Sequence, residues 1–314
     1  MSKKREHLTP VLFLLTLLPL ALAGCGSEAG SPARREGPVR IVATTSIIAD
    51  TARRIAGEHA QVEALMGPGV DPHLYKASES DVRRLGEADL ILYNGLHLEG
   101  KMSDILTKMA RSRPVVAVSE DIPQDQLREP PEFAGQYDPH VWFDVSLWTR
   151  TLEPIVRELS SLAPEHTETF RANAAALEKE LTELDAWVRQ QIETIPPAQR
   201  VLVTAHDAFG YFGRRYGMEV MGIQGISTLS EAGLKDVDRV VGVVVQRGVK
   251  AVFVEASVPR RSIEAVQAAV RSQGKEVAIG GQLYSDSLGA AGSPAGTYMG
   301  MVRANVETIV NALK

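Results

Sequence analysis

A long helical pattern near the middle of the chain constrains the fold more than any other feature. Between Pro164 and Ile195, apolar residues recur at steps of three and four, which is typical of a helix with one buried stripe. The members of this stripe are Phe170, Ala174, Leu177, Leu181, Leu184, Val188 and Ile192. Pro164 suits a first helical position, and two prolines, Pro196 and Pro197, end the pattern. A helix of this length spans roughly 48 Å, which is more than the width of one small lobe.

The segments on either side of this helix alternate short apolar runs with helical patterns. We predict strands at 39–45, 61–66, 88–93 and 115–118 before the helix, and at 201–204, 219–222, 251–255 and 277–279 after it. Such alternation is typical of parallel βαβ units. The sequence therefore predicts an α/β fold with two parallel-sheet lobes, residues 38–162 and 197–314, joined by one long rigid helix at 163–196. The alternative for this segment is a coiled-coil dimerisation helix. Its proline-bounded ends instead favour a single rigid helix packed along both lobes, and we expect the protein to be a monomer.

Composition excludes several classes of protein. The formal net charge is −5 and aromatic residues are 5% of the chain, so neither a phosphate-neutralising surface nor a base-stacking platform is expected. We therefore predict no nucleic-acid partner. The single cysteine excludes a disulfide framework and a thiolate zinc site.

The N-terminus has the features of an export signal. Three basic residues, Lys3 to Arg5, precede an apolar run at 11–23 that is too short to cross a bilayer. The run ends in Leu-Ala-Gly-Cys, which resembles a bacterial lipobox with Cys25 as the lipidated residue. We predict a signal peptide at 1–24, a flexible tether at 25–37, and a mature protein at the extracytoplasmic face, anchored to the membrane through Cys25. A plain signal peptide is the alternative.

The tripeptide Asp-Pro-His occurs twice, at 71–73 and at 138–140. A proline before each histidine stiffens the loop and holds the imidazole at a fixed position, as a metal site requires. The preceding carboxylates, Asp71 and Asp138, are expected to orient the ring or its loop as hydrogen-bond acceptors. The repeat therefore makes His73 and His140 candidate metal ligands.

Two further candidates follow predicted strands of the second lobe. His206 follows the apolar strand at 201–204, and Asp286 comes after the strand at 277–279. The carboxyl ends of parallel strands line the crevice in which α/β sheets bind ligands. Three imidazoles and one carboxylate suit tetrahedral Zn²⁺, whereas Mn²⁺ favours more oxygen and a bidentate carboxylate. Asp207 and Glu231, near His206 in the sequence, are candidates for supporting the ligands.

Several segments together resemble one family. They are Val42-Ala43-Thr44-Thr45-Ser46, the Asp-Pro-His pair, Asn94-Gly95-Leu96-His97-Leu98-Glu99, the segment from Thr204 to Phe212, and Gly225-Ile226-Ser227-Thr228. Over nearly its whole mature length the chain resembles the metal-binding solute-binding proteins of bacterial zinc/manganese ABC importers. The resemblance implies two α/β lobes joined by a rigid helix, with the metal in the cleft between them.

The same resemblance implies roles for residues and partners. Its ligand positions fall on His73, His140, His206 and Asp286, and its partners are an ABC permease and a cytoplasmic ATPase. Manganese-selective relatives tend to carry Glu at the position of His206, which favours zinc here. The segment 119–136 lacks the histidines that many zinc-binding members carry before the second ligand. Binding of both zinc and manganese therefore remains an alternative to binding of zinc alone.

We therefore predict a lipid-anchored receptor, not an enzyme, that captures Zn²⁺ or alternatively Mn²⁺ and delivers it to a permease. One alternative is an exported metal-dependent hydrolase, with three ligands, a bound water and Asp207 or Glu231 as base. A second alternative is a manganese-specific receptor. A surface adhesin is a third, although no segment specifies an adhesive surface.

Overall fold

The computed structural model of this chain describes residues 37–133 and 135–314. The predicted signal peptide at 1–24, the lipidation site Cys25 and the predicted tether up to residue 36 lie outside the described residues. Within the described part, no helix is both long enough and apolar enough to cross a membrane.

The first lobe, hereafter the N lobe, is built on a four-stranded parallel sheet. Its strands are β1 (Val39–Ala43), β2 (Ala60–Ala64), β3 (Leu90–Tyr93) and β4 (Val115–Ala117), in the spatial order β2-β1-β3-β4. Every pairing is parallel, as the alternation of strands and helices predicted. The strands are short and rich in β-branched and other apolar residues because both faces of a parallel sheet are covered.

Five α-helices belong to the described part of the N lobe. They are α1 (Ser46–Ala56), α2 (Glu79–Glu87), α3 (Ser103–Met109), α4 (Val145–Trp148) and α5 (Leu152–Leu162). The side chain of Thr45 accepts from the backbone of Ile48 and caps α1. Ser78 and Asp81 form a reciprocal capping box at the start of α2.

The predicted connecting helix is the longest element of the described chain. A 3₁₀ turn at Pro164–His166 leads into α6 (Thr167–Glu193), which ends before the two prolines. Six members of the predicted apolar stripe are buried, and the seventh, Ala174, is partly buried against the same core. The periodicity therefore predicted both the helix and the face it buries.

The second lobe, hereafter the C lobe, contains two pairs of parallel strands. They are β5 (Val201–His206) with β6 (Glu219–Gln224), and β7 (Ala251–Glu255) with β8 (Ala278–Leu283). β5 also contacts β7, so the two pairs lie side by side. Its helices are α7 (Gly210–Tyr216), α8 (Leu234–Arg247), α9 (Arg261–Ser272) and α10 (Tyr298–Leu313).

One continuous apolar core joins the two lobes. It contains residues of α1, α5, α6 and α10, so the connecting helix is packed against both lobes along its length. The start of α10 is bound to the N lobe, because the backbone N–H of Tyr298 donates to the carboxylate of Asp50. Residues Pro38–Lys314 form a single compact unit, and the predicted lobe limits, 38–162 and 197–314, stay predictions.

Candidate metal centre

Four side chains from distant parts of the chain converge between the lobes. His73 and His140 come from N-lobe loops, His206 is the last residue of β5, and Asp286 follows β8. One nitrogen or carboxylate oxygen from each side chain lies within 4.8 Å of all the others. All four are buried, with exposed fractions of 3% for His73 and 0–1% for the other three. The structure thus brings together the four residues that the sequence singled out.

Four of the separations within this cluster match a small coordination shell. Nε2 of His140 lies 3.3 Å from Nε2 of His73 and 3.4 Å from Nε2 of His206. Oδ1 of Asp286 lies 3.5 Å from Nε2 of both His140 and His206. A tetrahedral ion with ligands at about 2.1 Å separates neighbouring donor atoms by about 3.4 Å. These four separations are therefore those expected of donor atoms around one ion.

His140 is oriented by the carboxylate of its own motif. Oδ1 of Asp138 accepts from Nδ1 of His140 at 2.8 Å and from the backbone N–H of His140 at 3.0 Å. This leaves Nε2 of His140 with its lone pair directed at the cluster. The other oxygen of Asp138 binds the guanidinium of Arg128. Asp138 is fully buried, and this ion pair offsets the cost of removing its charge from water.

The carboxylate of Glu255, at the carboxyl end of β7, orients His206. Oε2 of Glu255 accepts from Nδ1 of His206 at 2.6 Å, and Oε1 accepts from its backbone N–H at 2.8 Å. Sequence reasoning missed this residue. A signal was present, because Glu255 is the one charged residue of an otherwise apolar strand and lies at the sheet edge where ligands bind.

Asp286 presents one oxygen to the cluster and binds the protein through the other. Oδ2 accepts from the hydroxyl of Ser257 at 2.9 Å, and that hydroxyl also lies 2.9 Å from the hydroxyl of Ser285. Oδ1 is buried and has no hydrogen-bond partner among the described residues. A buried carboxylate oxygen without a partner is costly. Its position between imidazole nitrogens suits a ligand to a cation.

Burial and mutual charge shift the pKa of each group in the cluster. Burial, together with the neighbouring imidazoles, lowers the pKa of His73 to about 3. Burial opposes protonation of His140 and His206 as well, but the adjacent carboxylates outweigh it and raise both pKa values, that of His206 well above its ordinary range. Burial alone would raise the pKa of Asp286, yet the two nearby imidazoles hold it well below its usual value. The adjacent carboxylates therefore favour the protonated forms of His140 and His206, and a bound cation competes with those protons.

The remaining predicted residues differ in what they contact. Asp71 accepts from the backbone N–H of His73 at 2.8 Å, so it supports the loop and not the ring. Asp207 makes no hydrogen bond to the four clustered side chains within the described residues. Its pKa is raised by burial and by the charge of Asp138 nearby. The prediction that Glu231 supports the ligands is wrong, because its exposed carboxylate is paired with Arg261.

The fold and the cluster together define a class of protein. It is the class of solute-binding proteins that have two lobes and, buried between them, donor atoms of the kind that bind a metal ion. A family model described as "ZnuA: Zinc-uptake complex component A periplasmic" matches residues 41–312, and the chain belongs to this family.

Comparison with individual proteins agrees with this membership. The chain is 49% identical over 295 residues to "Manganese-binding lipoprotein MntA" of Bacillus subtilis, covering 94% of this chain and 95% of the relative. It is 46% identical over 309 residues to "Zinc-binding protein TroA" of Treponema pallidum, covering 98% and 99% respectively. The solved structure of the periplasmic zinc-binding protein TroA from Treponema pallidum superposes with a TM-score of 0.86 at 49% identity, covering 88% of this chain and 99% of that one.

These relationships settle the class of function. The chain is the substrate-binding protein of a metal ABC transporter, which works with a permease and an ATPase. The resemblance to this family is confirmed, and so is the prediction that the chain is not an enzyme. The alternative of an exported hydrolase is therefore wrong.

Proposed function

We propose that this chain captures Zn²⁺, and Mn²⁺ with lower affinity, through His73, His140, His206 and Asp286, and delivers the ion to its permease. The observation that carries the proposal is the buried convergence of three imidazole nitrogens and one unpaired carboxylate oxygen. A shell filled by four protein atoms leaves no position for a reacting water, so it suits capture of an ion rather than catalysis.

The donor set supports zinc as the tighter ligand. Sites built from nitrogen and oxygen bind Zn²⁺ more tightly than Mn²⁺ in the general order of divalent metals. With Oδ2 of Asp286 bound to Ser257, the carboxylate offers one free oxygen, which favours four donors over the larger shell that Mn²⁺ prefers. The names of two relatives, one manganese-binding and one zinc-binding, are the reason for including both ions in the proposal.

Native mass spectrometry of the metal-free protein, titrated in parallel with Zn²⁺ and Mn²⁺, tests this proposal. We expect one tight equivalent of either ion, with zinc displacing manganese, and loss of that equivalent in His140→Ala and His206→Ala. His59→Ala is the matched control, because His59 stacks on His166 at the surface and contacts none of the four residues. Unchanged stoichiometry in the first two variants would discard the site, and displacement of zinc by manganese would reverse the order of preference.

We also propose that a lipid on Cys25 holds the protein at the extracytoplasmic face of the membrane. The lipobox-like ending of the apolar run supports this, as do relatives that are named lipoproteins. Cys25→Ser should move the protein from the membrane fraction to the soluble extracytoplasmic fraction and abolish labelling by a fatty-acid probe. Retention at the membrane without label would contradict a lipid anchor.

A further inference from the structure

The three histidines of the metal centre are not held equally firmly. Nδ1 of His140 is bound by Asp138, and Nδ1 of His206 is bound by Glu255. Among the described residues, no hydrogen bond reaches Nδ1 of His73, whose side chain is also the one that retains some exposure. Ring orientation at a metal site depends on the partner of the second nitrogen. His73 must therefore be positioned by its backbone.

The loop that carries His140 is fixed to the C lobe by large buried side chains. The hydroxyl of Tyr211 donates to the backbone oxygen of Asp138 at 3.0 Å. The indole N–H of Trp142 donates to the backbone oxygen of Ser285 at 2.8 Å. These contacts bind the loop to the C lobe beside His206 and Asp286, and Asn94 Nδ2, which donates to the backbone oxygen of Pro139 at 3.0 Å, binds it to the N lobe as well.

The loop that carries His73, residues 67–73, is joined to the C lobe by two hydrogen bonds to small hydroxyl side chains. Thr228 Oγ1 donates to Oδ2 of Asp71 at 2.6 Å, and the backbone N–H of Gly69 donates to Oγ of Ser287 at 2.8 Å. The other oxygen of Asp71 accepts from the backbone N–H of His73 at 2.8 Å. The carboxylate of Asp71 thus connects the hydroxyl of Thr228 in the C lobe to the backbone of His73, the candidate ligand whose ring has no partner at Nδ1 among the described residues.

We propose that Thr228 is a positioning residue for metal retention: through Asp71 it fixes His73, and breaking this contact opens the His73 side of the site for release. The inference deepens the proposed function and rests on it. Thr228 is buried and lies 157 residues from Asp71 in the chain, so the contact exists only while the lobes are together. Separation of the lobes at this edge removes His73 first and leaves His140, His206 and Asp286 in place.

The expected size of the effect follows from the type of hydrogen bond. A short hydroxyl-to-carboxylate bond is charge-assisted, and losing such a bond changes an equilibrium or a rate by roughly 10- to 100-fold. The change should appear in the dissociation rate of the metal, because the contact holds the closed state. The ligands themselves are unchanged, so the geometry of the bound ion should stay the same.

The experiment measures metal release from the full-length loaded protein into excess chelator by stopped flow. Thr228→Val removes the hydroxyl at nearly constant shape and should release Zn²⁺ roughly 10- to 100-fold faster. Thr228→Ser restores the hydroxyl and should return the rate to near wild type. Ser227→Ala is the matched control, since the Ser227 hydroxyl contacts the backbone of Leu229 within its own loop. The absorption spectrum of the Co²⁺-loaded protein should be the same in all of these proteins.

Three outcomes would overturn the inference. Thr228→Val could release metal at the wild-type rate, Thr228→Ser could release it as fast as Thr228→Val, or the Co²⁺ spectrum could change with the hydroxyl. If Thr228→Val does not fold, Thr228→Ala removes the same hydroxyl without placing a methyl group in a polar position, and its release rate decides. A wild-type protein that binds neither metal would instead refute the proposed function and would be recognised before any variant is compared.

Discussion

Replacing Glu255 by Gln tests the electrostatic support of the metal centre most sharply. The carboxylate of Glu255 accepts two hydrogen bonds from His206, one from the ring and one from the backbone. Gln presents one oxygen and one NH₂ group, so it can keep one of these bonds and turns a donor toward the other N–H. The side-chain volume is nearly unchanged, which confines the perturbation to charge and hydrogen bonding.

The magnitude follows from the lost bond. A hydrogen bond to a charged group contributes about 1.5–3 kcal/mol. At about 1.4 kcal/mol per factor of ten, its loss weakens metal binding by roughly 10- to 100-fold. The same range is typical when the partner of a metal-bound histidine is replaced. We therefore expect Glu255→Gln to raise the Kd for Zn²⁺ by one to two powers of ten, without changing the stoichiometry.

Competition against a chromophoric chelator at constant pH measures this change. Glu231→Gln is the control, because that carboxylate is exposed and paired with Arg261, away from the cluster. We expect its Kd to stay within about twofold of wild type, since exposed pairs contribute little. Equal losses in the two variants, or no loss in Glu255→Gln, would refute the role assigned to Glu255.

Three further predictions follow from the described contacts. A Cβ on Gly210 would collide with the guanidinium of Arg128, so Gly210→Ala should displace this guanidinium from Asp138. We expect Zn²⁺ binding to weaken by roughly tenfold, measured by the same chelator competition. The adjacent carboxylates raise the pKa of His206, so a metal that binds must displace a proton and metal affinity should fall as the pH falls. Calorimetry in buffers of different ionisation enthalpy should show net proton release on metal binding. A Kd that does not change between about pH 6 and 8 would contradict this prediction. Ser78→Ala removes a helix cap whose hydrogen bonds go to Ser80 and Asp81 and not to the cluster, and it should lower the free energy of unfolding by about 1 kcal/mol in urea titrations while metal affinity stays unchanged.

Local patterns predicted the elements that depend on local physics. The stripe from Phe170 to Ile192 predicted α6 because burial of one helix face imposes its period on the sequence. The short apolar runs at 39–45 and 88–93 predicted β1 and β3 because a strand buried on both faces needs apolar residues throughout. The C-terminal helix α10 was not predicted, although buried residues such as Met301, Val302 and Val306 recur at helical spacing.

Contacts between distant segments were the harder part. Glu231 lies closer to His206 in the chain than Glu255 does, yet Glu255 is the one that binds it, because β5 and β7 lie side by side in the C lobe. Arg128 was missed because it lies in a segment without periodic pattern, although its partner Asp138 is only 10 residues further along the chain. The four clustered residues could be found because each stands at the end of a strand or in a repeated motif.

The most direct test of the central claim is anomalous diffraction from crystals of the zinc-loaded protein at the zinc absorption edge. We predict a single strong peak within about 2.3 Å of Nε2 of His73, His140 and His206 and of Oδ1 of Asp286. A strong peak bound by other residues, or no peak in protein that retains zinc in solution, would contradict the claim that these four side chains bind one ion.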